Sequence, residues 1–213
     1  MRTSQNGWPA SKDPEEIQIV SRRVPGTGLK LRVAAPVAPL LIAFARDFHK
    51  EVERINEGQL DDWGYAYRDI RGASTLSNHA SGTAIDLNAL QHPLGAENTF
   101  TDEQARTIRR LCRKYGLKWG GDYRNRKDEM HFEIAMNNNQ VANLIRTLGL
   151  EKDGDEEAKE SDKDSETASG LVGSNSSSGS NRLLPRHRGS NSKGSNKRRP
   201  RGRATTDPTV FES

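Results

Sequence analysis

The chain has one cysteine, Cys112, in 213 residues. No intrachain disulfide can form and no thiolate-rich metal site can be built, so any bound metal must be held by histidine and carboxylate. Long apolar runs are missing as well. The longest, around Val33 to Phe44, is broken by Pro36 and Pro39 and falls far short of the roughly 20 residues a membrane-spanning helix needs. The opening stretch MRTSQNGWPASKDPEEIQIV has no apolar h-region, so a secretory signal peptide is not expected. Hydrophobic residues make up 32% and aromatics 6% of the chain, with a mean hydropathy of -0.89. Part of it therefore cannot bury enough apolar surface to fold.

The net charge of +4 conceals where the charges lie. Residues 151–166, EKDGDEEAKESDKDSE, are mostly acidic, and residues 167–181 are almost purely Thr, Ala, Ser, Gly and Asn, a flexible-linker composition. From Arg182 to Arg203 there are nine Lys or Arg and no acid. The expected organisation is thus one domain over 1–150 and a disordered tail over 151–213. A basic run of this kind binds nucleic acid by releasing counterions from phosphates, and the same charge attracts anionic wall polymers or lipid. A solvated tail without a dedicated partner, or one paired with its own acidic run, accounts for the composition equally.

Within 1–150 the patterning is α+β. Leu40, Leu41, Phe44, Phe48, Val52 and Ile55 recur at three- and four-residue steps and predict a helix over 37–55. WGYAYRDI (63–70) is short and aromatic-rich, which predicts a strand, as does TAIDLN (83–88). Thr101, with Gln104 three residues on, predicts a capped helix start, and Gly116 its stop. LKWGG (117–121) predicts an edge strand or hairpin, HFEIA (131–135) its partner, and 139–148 a last helix ending at Gly149.

Two stretches carry chemistry. In SNHASGTAIDLN, His79 precedes a glycine turn and Asp86 lies in the strand that follows; such a turn folds the loop back over the strand. In DEMHFE, His131 opens a strand and Asp128 precedes it by three residues. Two imidazoles and a carboxylate leave a fourth position on zinc for water, whose pKa falls towards 7, while the spare carboxylate takes its proton. Spacing alone also fits ordinary roles, since a histidine beside a glycine turn is commonly a loop residue. Asp86 is harder to dismiss, because a carboxylate in an apolar strand needs a cation or a set of donors.

SNHASGTAIDLN matches the S-x-H-x(2)-G-x-A-x-D pattern of the M15 zinc peptidases, the D-Ala-D-Ala carboxypeptidase and dipeptidase group. KDEMHFE resembles that group's second motif, and KWGGDY resembles the stretch before it in bacteriophage endolysins. The resemblance runs from about Val33 to Ala135 and is closer to the L-alanyl-D-glutamate endolysin branch than to the resistance dipeptidases. It implies a small antiparallel sheet flanked by helices, with a zinc site in a central cleft. His79, Asp86 and His131 would be the ligands of Zn2+, and Asp128 the general base. Ser77 would hydrogen-bond substrate, and Arg68, with Arg71 as its close rival, would support the substrate carbonyl and the developing oxyanion. The interval from these arginines to Ser77 is shorter than in many relatives.

The implied activity is hydrolysis of peptidoglycan stem peptides, with L-alanyl-D-glutamate endopeptidase first and D-alanyl-D-alanine carboxypeptidase second. A phage lysin is implied, made in the host cytoplasm and acting on the wall after release, and a monomer is expected. The same fold is known in binding modules that keep zinc without peptidase duty; Asp128 separates the two readings, since such a module needs no base. Among neighbouring residues, Glu129 is a rival base and Glu133 a strand residue or a partner to a ligating ring. Trp119 and Asp122 are candidates for the cleft wall. His49 is expected on the exposed side of the first helix, His92 in a turn beside Pro93, and neither as a metal ligand. Cys112 is expected in the core.

Overall fold

The computed structural model describes residues 1–58, 60–70 and 72–151. Arg71 and the tail expected over 151–213, beyond its first residue, lie outside the described residues, so the readings placed on them go no further here.

The first long helix, α1, spans Ala38–Glu51 and buries Leu40, Leu41, Phe44 and Phe48 completely. It stops short of the predicted Ile55. The imidazole Nδ1 of His49, half-buried rather than exposed, accepts the Ile55 N–H at 3.1 Å, and the reversed chain tucks Ile55 into the core. The apolar spacing therefore continues past the helix because the loop, too, is packed. Helix α2, Asp102–Tyr115, begins in a full capping box between Thr101 and Gln104 and ends on Gly116 in the left-handed region at φ 68. It is tied to α1 through buried Asp47, which accepts from Tyr115 Oη (2.5 Å) and Lys114 Nζ (2.9 Å). Helix α3, Asn138–Leu148, has its own capping box from Asn137 and ends on Gly149.

Two short hairpins precede α1: β1 (Arg2–Thr3) with β2 (Pro9–Ala10), and β3 (Ile19–Arg23) with β4 (Lys30–Ala34). The central sheet comprises β5 (Ala84–Asp86), β6 (Leu117–Trp119) and β7 (His131–Ile134), antiparallel in the order β5-β7-β6. Its register sets Ile85 opposite Phe132 and Asp86 opposite His131. Alternation along a strand then sorts the side chains by face. Phe132 and Ile134 enter the core, where the Phe132 ring lies 4.7 Å from Phe44 and 5.5 Å from Phe48. Asp86, His131 and Glu133 share the other face.

WGYAYRDI is not a strand. Trp63 makes one two-bond bridge to Asp86, and the chain then leaves the sheet. A Cβ on Gly64 would stand 2.2 Å from the Arg32 carbonyl oxygen, so the segment crosses β4 too closely to run beside a neighbour. Its amides go to separate places: Tyr65 N–H to Arg32 O, Ala66 N–H to His79 O. Tyr65 and Tyr67 stay half-exposed, so their β-propensity finds no pleated surface to pack on.

Candidate metal centre

The 3-10 turn Asn78–Ser81 carries His79. Ser77 caps it by accepting the His79 N–H at 3.3 Å, and Gly82 ends it at φ 65. Gly82 is doubly constrained, because a Cβ there would meet Ala34 N at 2.7 Å and Ile19 Cδ1 at 2.4 Å. The His79 Nδ1 lies 2.7 Å from the Gly64 carbonyl oxygen. A carbonyl can only accept, so Nδ1 carries the proton and Nε2 presents a lone pair. That lone pair faces Asp86 Oδ1 and His131 Nδ1, both at 3.1 Å, and Oδ1 and His131 Nδ1 are 2.8 Å apart. The other ring nitrogen of His131 faces Glu133 Oε2 at 3.2 Å. All three side chains are buried.

Three acceptor atoms therefore converge on one point and require positive charge there. Atoms bound at about 2.0–2.1 Å to tetrahedral zinc stand about 3.3 Å from one another, and the observed gaps lie within about half an ångström of that. This group is the one cluster of its kind among the described residues that could hold a metal ion. Without an ion a proton meets the same demand. Burial opposes charge on His131, but hydrogen bonds to Asp86 and Glu133 outweigh it and raise its pKa to about 10. Burial likewise opposes charge on Asp86, yet the two imidazoles hold its carboxyl well below the usual range.

Residues around the triad fix it in place. The Trp63 indole Nε1–H donates to Asp86 Oδ2 at 2.7 Å, which turns Oδ1 towards the histidines. Arg68, half-exposed, brings a guanidinium nitrogen to 3.9 Å from the same Oδ2. Glu133 also accepts from Asn78 Nδ2, and Asn78 Oδ1 in turn accepts the Asn6 N–H at 2.9 Å. Asn6 Nδ2 reaches Thr83 Oγ1 and the Ile134 carbonyl, stitching the N-terminal segment to the back of the sheet.

Asp128 lines a cleft of about 630 Å³ together with the triad, Arg68, Ser77 and Tyr123. The Asp128 N–H donates to Gly120 O at 3.1 Å, and its own carbonyl accepts the His131 N–H at 3.0 Å. This turn sets carboxylate and imidazole at a fixed offset. A Cβ on Gly120 would stand 2.3 Å from the Asp128 carbonyl oxygen, so glycine is what lets the two segments touch. Oδ1 of Asp128 is buried and has no hydrogen-bond partner. Burial raises the pKa of its carboxyl, with Asp86 adding repulsion and the two histidines and Arg68 opposing the rise.

Other candidates have different surroundings. Glu129 is buried and consumed by the backbone amides of Asn98 and Thr99, both at 2.8 Å, and by the Thr99 hydroxyl. Trp119 packs in the core, donating its Nε1–H to Glu129 O at 2.7 Å, and Asp122 is held by Arg109 at 2.8 Å. Trp119 does not line the cleft, and Asp122 lines the cavity that adjoins it. His92 lies in the loop before Pro93, as expected, and is buried there: it stacks on Phe100 at 3.7 Å and bonds Thr99 Oγ1 at 2.7 Å. Cys112 is in the core, where burial pushes its thiol up to about 12. Sequence reasoning missed Trp63, Gly64 and Tyr123 as site residues. The GGDY run and the tryptophan next before the first motif were the available signals.

A family model described as D-alanyl-D-alanine carboxypeptidase, of the M15 peptidases, matches residues 71–134. That span holds all three residues of the triad and Asp128, and it supports the M15 peptidase family and a peptidase acting on peptidoglycan. No curated protein and no solved structure matches the chain.

Proposed function

We propose that the chain is a zinc metallopeptidase that hydrolyses peptidoglycan stem peptides, cutting between L-alanine and D-glutamate as a phage endolysin does. The observation that carries an enzyme over a binding module is Asp128: a half-buried carboxylate with an unpartnered oxygen, set beside three convergent ligand atoms. A module that only binds has no use for the cost of such a group. His79 Nε2, Asp86 Oδ1 and His131 Nδ1 would hold the ion. Zinc in such a set supplies Lewis-acid polarisation and a water acidified into the neutral range. Asp128 takes the proton of the attacking water and returns it to the leaving amine, a role helped by a pKa above the ordinary carboxylate value. Arg68 steadies the substrate carbonyl as negative charge develops, and the Ser77 hydroxyl, which accepts from His79 N–H, keeps its own proton free to donate to substrate.

The description of the matching family favours a second reading, D-alanyl-D-alanine carboxypeptidase. Digestion of purified peptidoglycan followed by mass analysis of the new termini separates the two. New N-terminal D-glutamate, or its amide, supports the endopeptidase; released D-alanine supports the carboxypeptidase. Absence of any cleavage by zinc-loaded protein overturns the enzyme reading. Asp128→Ala should retain zinc and lose at least about 100-fold in rate; a fully active variant removes Asp128 from the mechanism. Among the described residues no helix is long and apolar enough to cross a membrane.

A further inference from the structure

The cleft continues past the triad. A second cavity of about 530 Å³ adjoins it, and the two share Gln5, Ile70, Tyr123 and Arg126. Its remaining wall includes Lys118, Asp122 and Arg124. The two acids nearest the second cavity are already paired. Asp122 is gripped by Arg109 through Nε (2.9 Å) and a terminal nitrogen (2.8 Å). Glu133, at the junction, is shared by His131, Asn78 and, at 3.6 Å, Lys118. Lys118 Nζ also stands 4.6 Å over the Tyr123 ring, which lines both cavities. Arg124 and Arg126 are exposed, and no carboxylate among the described residues pairs with either. With Arg68 at the metal end, the groove carries cations along its length, and its carboxylate without an ion-pair partner, Asp128, stands at the triad rather than in the second cavity.

We propose that this groove is a subsite for a carboxylate-bearing arm of the substrate, so that the protein selects stem peptides with free carboxylates over amidated ones. The inference rests on the peptidase reading and adds the chemical form of the substrate. Guanidinium groups suit it because their planar fork meets a carboxylate with two parallel hydrogen bonds, which an amide cannot offer in charged form. Arg126 lies on the shared wall and Arg124 in the second cavity beyond it, so a charged arm held there would leave its neighbouring bond at the triad.

The test is calorimetric binding to full-length, zinc-loaded Asp128→Ala, which separates affinity from turnover. The probes are a synthetic L-alanyl-D-glutamate stem peptide with free carboxylates and the same peptide with those carboxylates amidated. The free acid is expected to bind roughly tenfold more tightly, as two partly exposed ion pairs allow, and the preference should shrink as salt is raised. In an added Arg124→Gln/Arg126→Gln background, with zinc content and melting temperature unchanged, the preference should disappear. Equal binding of the two peptides, or a preference that survives the double substitution, overturns the subsite. Hydrolysis by the otherwise unaltered chain is measured separately. Cleavage of both peptides at equal kcat/KM also refutes the subsite while leaving the peptidase reading intact, whereas cleavage of no wall substrate sinks that reading itself.

Discussion

Gly120→Ala isolates the placement of Asp128 from its chemistry. Gly120 does not have a positive φ, so alanine adds no backbone strain; the effect is steric. The new Cβ would stand 2.3 Å from the Asp128 carbonyl oxygen and 3.0 Å from the Asp128 Cβ. Ordinary carbon–oxygen contacts begin at about 3.3 Å, so one segment must move by about 1 Å. The obstructing atom is backbone, which cannot swing aside as a flexible side chain would. His131 is held by its pairing opposite Asp86 in the sheet, so the displacement falls on the turn that carries Asp128. A misplacement of about 1 Å costs about 100-fold in rate, or about 2.7 kcal/mol of activation free energy. Steady-state kinetics on soluble wall peptides should therefore show kcat down about 100-fold, with zinc content by atomic absorption unchanged. A folded variant with undiminished kcat would falsify the claim that Gly120 positions the base.

Trp63→Phe removes the indole donor from Asp86 Oδ2 and leaves that oxygen with Arg68 at 3.9 Å. Zinc affinity, measured by competition with a chelator, should fall about tenfold, the lower end of the usual effect of such supporting bonds; unchanged affinity would show that Asp86 needs no such brace. The raised pKa of His131 fixes a sign for pH. In metal-free protein its ion pairing stabilises the fold fully below the unfolded value near 6.5 and is lost as pH rises through about 10. Zinc must displace that proton, so its affinity should rise about tenfold per pH unit across this window. The zinc-induced gain in melting temperature should widen from pH 6 to pH 8, and a flat difference would contradict the assignment. Cys112, with its thiol pushed up to about 12 by burial, should resist aromatic disulfide reagents at pH 8 until the protein unfolds; rapid labelling of native protein would place it outside the core.

Features legible in the sequence were those whose cause is local. The Thr101 to Gln104 box and Gly116 bound α2 as expected, because a cap is satisfied by residues three apart. The strands of the central sheet were legible as short segments, and the convergence of His79, Asp86 and His131 because each motif is contiguous. What was illegible depends on distant partners. Trp63 matters through a carboxylate 23 positions away, and Asn6 through Thr83 and Ile134. His92 is the turn residue beside Pro93 that it looked like, but its burial depends on the Phe100 ring stacked on it from eight positions away. Composition misled at WGYAYRDI, where aromatic residues signalled a strand although the chain there threads past β4 rather than pairing with it.

The register of β5 on β7 makes core and candidate site one decision. Ile85 faces Phe132 on the side packed against α1, and Asp86 faces His131 on the other. Slipping β7 by one residue would turn Phe132 out into the cleft and drive His131 and Glu133 in among Phe44 and Phe48, exchanging every side chain of the strand between faces. Burying those charged groups without partners costs several kcal/mol each, and the aromatic contacts around Phe132 would be lost with them. The apolar packing that stabilises the sheet is therefore also what holds three candidate ligand atoms around one point. The turn through Gly120 then adds Asp128 to a constellation whose geometry the hydrophobic face has already set.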